Sequence, residues 1–176
     1  AEAEAIEDTA LAMRRTVDRE LARARSAAAR TDAAHADLAQ VAEQVIAVLR
    51  RTPDGARLGW QQSIPPGFAV ALDPSDLAEA LGALAENATR YARSRVALTA
   101  QKQDPHLYLS VTDDGPGIPP EKRAALIGRH ARADVSGTGL GLSIASEIAQ
   151  AAGGALTLAD TDAGFAATLV LPMARR

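Results

Sequence analysis

The chain of 176 residues contains no cysteine, which removes both a disulfide frame and a thiolate zinc site. Its three histidines, His35, His106 and His130, lie far apart without ligand spacing, so a transition-metal centre is not expected. Lysine occurs only as Lys102 and Lys122, after Gln101 and Glu121, and a P-loop, whose lysine follows a glycine directly, is excluded. Excess positive charge is also missing. The formal net charge is -3 and the basic residues are scattered, which gives no electrostatic footprint for nucleic acid. No run approaches the roughly 18 apolar residues of a membrane span, and no charged-then-apolar leader opens the chain, so the polypeptide as given is expected to be soluble.

What the chain does have is 47% apolar residues, enough for the core of one ordinary domain. It opens on "AEAEAIEDTALAMRR", an uncapped helical pattern that suggests a longer protein with segments upstream. Ala3, Ala10, Val17 and Ala24 fall seven apart, with Ile6 and Met13 at the alternate seam position and Glu20 interrupting it. Residues 1–30 therefore read as a dimerisation helix and linker, or as an amphipathic helix on the domain's flank, and 31–176 as the globular domain.

Asp37 is a candidate N-cap for a helix carrying Leu38, Val41, Val45, Val48 and Leu49 that ends before Pro53. Leu58, Trp60, Gln62 and Ile64 alternate as a strand, and "FAVAL" from Phe68 predicts another. Asp73, Pro74 and Ser75 open a helix to about Ala92, with Leu77, Leu81, Leu84 and Ala88 on its buried face. "RVALTAQKQ" and "HLYLSVT" follow as strands about the Asp104–Pro105 turn, then the loop "DDGPGI" and a short "PEKRAALI" helix. "SGTGLGLS" opens a helix stopped by Gly153 and Gly154, and "ALTLAD" and "FAATLVLP" close the chain as strands. The predicted fold is an α/β (α+β) sandwich, a mixed sheet of about five strands covered on one face by helices.

Two glycine loops flank a polar helix face. Backbone N–H groups at the start of the Gly141 helix would cradle phosphate, since the first turn leaves donors unpaired and the dipole favours anions; a flexible helix entry without ligand is the plainer reading. Asp113, at a strand end, is placed to accept from an exocyclic amine while Gly115 and Gly117 leave space for a flat ring; turn capping by an aspartate is the alternative. Asn87 and Tyr91 share a helical stripe with Glu86 and Arg90 beside it: an amide for Mg²⁺, a ring for a base, a guanidinium for phosphate, or simply a solvated face.

In order and spacing, "LAENATRYA", "DDGPGI" and "SGTGLGLS" resemble the catalytic ATP-binding domain of sensor histidine kinases, the Bergerat fold shared with gyrase, Hsp90 and MutL. The likeness runs from about Asp37 to Pro172 and is greatest to PhoQ-type kinases. It implies that Asn87 holds Mg²⁺ between the phosphates, that Arg90 contacts phosphate, and that Tyr91 and Ile118 pack on adenine. Asp113 would accept from the adenine amino group, with Gly115 and Gly117 shaping the pocket. Gly137, Thr138, Gly139, Leu140 and Gly141 would close over the phosphates, and Arg129 and Arg132 would reach the terminal one. Glu86 would order a water or polarise the acceptor.

By the same resemblance the ATP γ-phosphoryl passes to a histidine on a dimerisation helix absent from this chain, His35 being better suited to a surface or capping role. A response regulator, homodimerisation of the full-length protein and the cytoplasmic side of an inner-membrane sensor are implied as well. Three departures stand out: Ala83 where the family usually has an asparagine, Leu126 and Ile127 where it has a phenylalanine, and no His-Glu or His-Asp box. They leave open a catalytically impaired nucleotide-binding or docking module, and an anti-sigma-type serine kinase of the same fold.

Overall fold

The computed structural model describes residues 35–127 and 140–174; the expected helix within 1–30 lies outside them. The short strand β1 (Ala36–Asp37) leads directly into helix α1 (Leu38–Leu49), because Asp37 takes an extended conformation and its side chain accepts from the Gln40 N–H. Leu38, Val41, Ala42, Val45 and Ile46 form the helix's buried face. Val48, at 65% exposure, projects to solvent. A four-residue helix α2 (Pro53–Ala56), not foreseen from the pattern, is capped by Thr52 and tied to Trp60, whose indole N–H donates to Gly55 O at 2.9 Å.

Strand β2 (Gly59–Ser63) is shorter than the Leu58–Ile64 alternation suggested. Only Ala69–Val70 of "FAVAL" is strand (β3), and it pairs with β1 instead of joining the main sheet. Helix α3 (Pro74–Tyr91) starts at the Asp73 cap and buries Leu77, Leu81, Leu84 and Ala88, as their spacing requires. Strands β4 (Arg95–Gln103) and β5 (His106–Asp113), helix α4 (Pro120–Ile127), helix α5 (Leu140–Ala151) and strands β6 (Ala155–Thr161) and β7 (Gly164–Pro172) complete the order.

The five-stranded sheet runs β2-β4-β5-β7-β6, parallel only between β2 and β4 and antiparallel elsewhere. Val96 and Leu98 of β4, Leu107, Leu109 and Val111 of β5, and Leu169 and Leu171 of β7 are buried and share one face. Against them lie α1, α3 and α5, with Leu142, Ala145 and Ala149 from the last. On the other face a row of hydroxyls, Ser63, Thr99, Ser110, Thr168 and Thr157, runs in register across all five strands. One face packed and one polar is how a largely antiparallel sheet divides its residues. Among the described residues no helix is long and apolar enough to cross a membrane.

Leu109 is fully buried on a strand with a neighbour on each side, so its site has little freedom to collapse. Leu109→Ala should cost about 2–5 kcal/mol, read as a lower urea midpoint at unchanged slope.

Candidate functional site

The alternation of β5 brings Leu107, Leu109, Val111 and then Asp113 to the helix-covered face. Asp113 is only 6% exposed. Burial raises its pKa above the usual carboxylate range; the Gly115 N–H, donating to Oδ1 at 2.8 Å, opposes that rise, and the neighbouring Asp114 charge adds to it. A carboxylate held this way gains from any further N–H brought to it.

The loop that follows presses against the end of α3. A Cβ on Gly115 would lie 2.6 Å from both Asp113 Oδ1 and Tyr91 O, so no side chain fits there. Gly117 has φ +73°, and a Cβ on it would come within 3.1 Å of Phe165 and 3.3 Å of Asp160. Asp113, Gly115 and Tyr91 are thus gathered at one place, with Ile118 packed at the edge of the core. Tyr91 is 41% exposed.

The second aspartate does different work. Asp114 turns back to the α3–β4 corner, where its carboxylate accepts from Arg93 N (2.8 Å), Ser94 N (3.0 Å), Ser94 Oγ (2.6 Å) and Arg95 N (3.2 Å). These bonds, led by the Ser94 side chain, hold its pKa well below the usual range. Arg57 grips the same corner from its carbonyl side, donating to Thr89 O, Ala92 O and Arg93 O at 3.2–3.4 Å. A third tie comes from α4, where Arg123 Nε donates to Ile118 O at 2.8 Å and Nη2 bonds Asp160.

At the other end of the stripe, a Cβ on Gly141 would meet Ala83 O at 3.2 Å, which places the start of α5 one turn from Asn87. From Ala83 to Tyr91 the helix α3 forms a rail about 12 Å long, with first-turn amides of α5 at one end and Asp113 at the other. Glu86 and Arg90 lie one stripe round, lining a cleft of about 360 Å³ with Leu49, Thr52, Asp54 and Thr89. Leu140 opens α5; Arg129, Arg132, Gly137, Thr138 and Gly139 lie outside the described residues, and His35 is exposed. Among the described residues no group of three or more His, Asp or Glu could hold a metal. Mg²⁺ carried by phosphates needs only one or two protein oxygens, and the half-buried Asn87 amide fits that role.

Comparison with known proteins bears on the family and the fold. Residues 72–175 match the family described as histidine kinase-, DNA gyrase B- and HSP90-like ATPases. Sensor protein kinase CarS of Pseudomonas aeruginosa is 43% identical over 148 residues, 83% of this chain and 33% of CarS. The two-component sensor PhoQ of the same organism is 37% identical over 73% of this chain and 29% of its own length. The chain thus spans about a third of the curated relatives it matches. Among solved structures, the mycobacterial sensor histidine kinase MprB superposes with TM-score 0.70 at 29% identity, covering 81% of this chain and 99% of that one. The histidine kinase domain of the E. coli osmosensor EnvZ gives TM-score 0.61 at 30% identity over 81% and 89%.

Removing the Asp114 carboxylate leaves three backbone donors at the corner unsatisfied, so Asp114→Ala should lower stability by about 1 kcal/mol at neutral pH, the size of a lost helix cap. Because its folded-state pKa is depressed, that contribution is fully present above the unfolded value of about 4 and is lost progressively as pH falls from there through the depressed folded value. Chemical denaturation of wild type and variant from pH 7 to 3 should show the two stabilities converging.

Proposed function

The chain belongs to the family of histidine kinase-, DNA gyrase B- and HSP90-like ATPases, and on that premise we propose how its residues handle ATP and its phosphoryl group. It carries the ATP-binding catalytic domain of a sensor histidine kinase, an ATP-dependent protein kinase. ATP lies along α3, base toward Tyr91 and triphosphate toward the start of α5. Asp113 accepts from the adenine amino group, Tyr91 and Ile118 pack on the ring, and Gly115 and Gly117 allow it to approach the backbone.

At the phosphate end, backbone amides of the first turn of α5, those of Leu140 and Gly141, bind oxygens with the help of the helix dipole. The preceding Gly137, Thr138 and Gly139 close over them, Arg90, Arg129 and Arg132 neutralise charge, and Asn87 supplies the protein's oxygen to Mg²⁺. The ion's contribution when bound is to offset negative charge between the phosphates. An imidazole nitrogen of a histidine on a dimerisation helix outside this chain then attacks the γ-phosphorus; a P–N bond forms as the bond to the β-phosphate oxygen breaks and ADP leaves. Alignment and charge neutralisation, not covalent chemistry by this domain, lower the barrier. Glu86 orients the acceptor.

The same proposal includes a homodimeric longer protein, a response regulator as partner and a membrane-linked sensor role, and the kinship with named sensor kinases supports it. The observation that carries it is the buried Asp113 beside Tyr91 and Gly115, on the same rail as the start of α5. One feature favours a second reading, nucleotide binding without transfer. Ala83 stands where the family usually has an asparagine, and its carbonyl already abuts Gly141.

Mg-ATP at about 100 times its dissociation constant should stabilise the chain by roughly 2.7 kcal/mol in thermal unfolding, and Asp113→Ala should abolish the gain. Transfer of labelled phosphate from ATP to a separately supplied histidine hairpin separates the kinase from the binding module. Adenine recognition needs the ionised Asp113, whose pKa is raised, so ATP affinity should fall on acidification at a higher pH than an unperturbed aspartate would dictate. Calorimetric titration across pH 4 to 8 checks this; an affinity flat to the acid limit would count against the role.

A further inference from the structure

Helix α4 contributes no fully buried residue; only Leu126 and Ile127, partly buried, pack against the core from it. A further tie is Arg123, whose side chain is only 17% exposed while its partner Asp160 is 65% exposed. Its Nη2 lies 2.6 Å from both Asp160 oxygens, its guanidinium carbon stands 5.3 Å from the Phe165 ring centroid, and its Nε holds Ile118 O. These partners come from separate parts of the chain but are neighbours in the sheet. Asp160 pairs with Phe165 across β6 and β7, and Phe165 pairs with Asp113 across β7 and β5. The loop that leaves Asp113 therefore returns, through Ile118 and Arg123, to the same row of the sheet. Gly117 rests on the same two residues that Arg123 grips, since a Cβ there would contact Phe165 and Asp160.

We propose that Arg123 is a positioning residue for purine binding: through Asp160 and Phe165 it holds the Gly117–Ile118 segment at the height where Ile118 meets the base. The proposal rests on the reading of this pocket as the adenine site. Arginine suits the task because its planar fork donates in two directions while its face lies on an aromatic ring, which lysine cannot reproduce. Asp113, fixed by β5 itself, does not depend on the tie, so the loss should fall on packing against the base and not on recognition of its amino group.

The test measures dissociation constants of Mg-ATP and Mg-ITP, the latter lacking the exocyclic amine, for the full chain and for Arg123→Ala, Arg123→Lys, Asp160→Ala and the Arg123→Ala/Asp160→Ala pair. All are taken well below the unfolding temperature. Arg123→Ala should raise both constants by about tenfold and by the same factor, the effect of losing a charge-assisted bond. Arg123→Lys, which keeps the charge and stem, should fall between, and the double variant should be no weaker than Arg123→Ala alone. Unchanged affinities with a lowered melting temperature, independent effects that multiply in the double variant, or a loss confined to ATP would each overturn the role. Wild-type protein binding neither nucleotide would instead remove the adenine-site reading and the proposal with it, an outcome visible before any variant is compared.

Discussion

A carboxylate set in a row that is otherwise apolar is the constraint around which this domain is arranged. β5 delivers Leu107, Leu109 and Val111 to the core and then, at the same side of the same strand, Asp113. Burying that group disfavours its ionised form, and one bond from Gly115 offsets only part of the loss. The residues beside it read as answers to that problem. Gly115 brings a backbone N–H close because it has no side chain to obstruct it, and the exposed Tyr91 ring leaves room for a ligand that supplies a further donor. Asp114, one residue on, points the other way and meets donors in plenty, so two adjacent identical residues have opposite electrostatic fates.

The helix α3 links this group to the start of α5. Its contact with α5 is close because Gly141 presents hydrogen where any other residue would press on Ala83 O. That gives the family's missing asparagine a structural context: position 83 is a point of helix approach as well as a place for a polar group. The same glycine that the phosphate reading requires is also needed for packing, and the two roles do not compete, since one uses its N–H and the other its missing Cβ.

Much of the fold was legible from spacing alone. The α3 face, the Asp37 and Asp73 caps, the paired strands about Asp104 and the closing hairpin follow from periods of 3.6 and 2 and from residues that stop helices. "FAVAL" yields a strand of only two residues outside the main sheet, because β-propensity says nothing about partners: Ala69 and Val70 pair with Asp37 and Ala36, and Val70 also bridges to Met173. Asp113 was findable because strand alternation and a glycine loop coincide there. Arg57 and Arg123 were not, since their bonds to Thr89, Ala92, Arg93 and Asp160 span 32 to 37 positions and nothing local distinguishes a tying arginine from a solvated one. Asp114 lay in plain sight within "DDGPGI", but its donors belong to the α3–β4 corner, which only the fold brings near.

The α3–β4 corner has carbonyls held by Arg57 and N–H groups held by Asp114, so both polarities of its backbone are engaged by side chains from distant strands and loops. A bend fastened on both sides resists hinging. Tyr91 and Asp113, which flank it, are held by the same fastened corner. Sliding α3 and β5 past one another at this end would require both sets of bonds to break together.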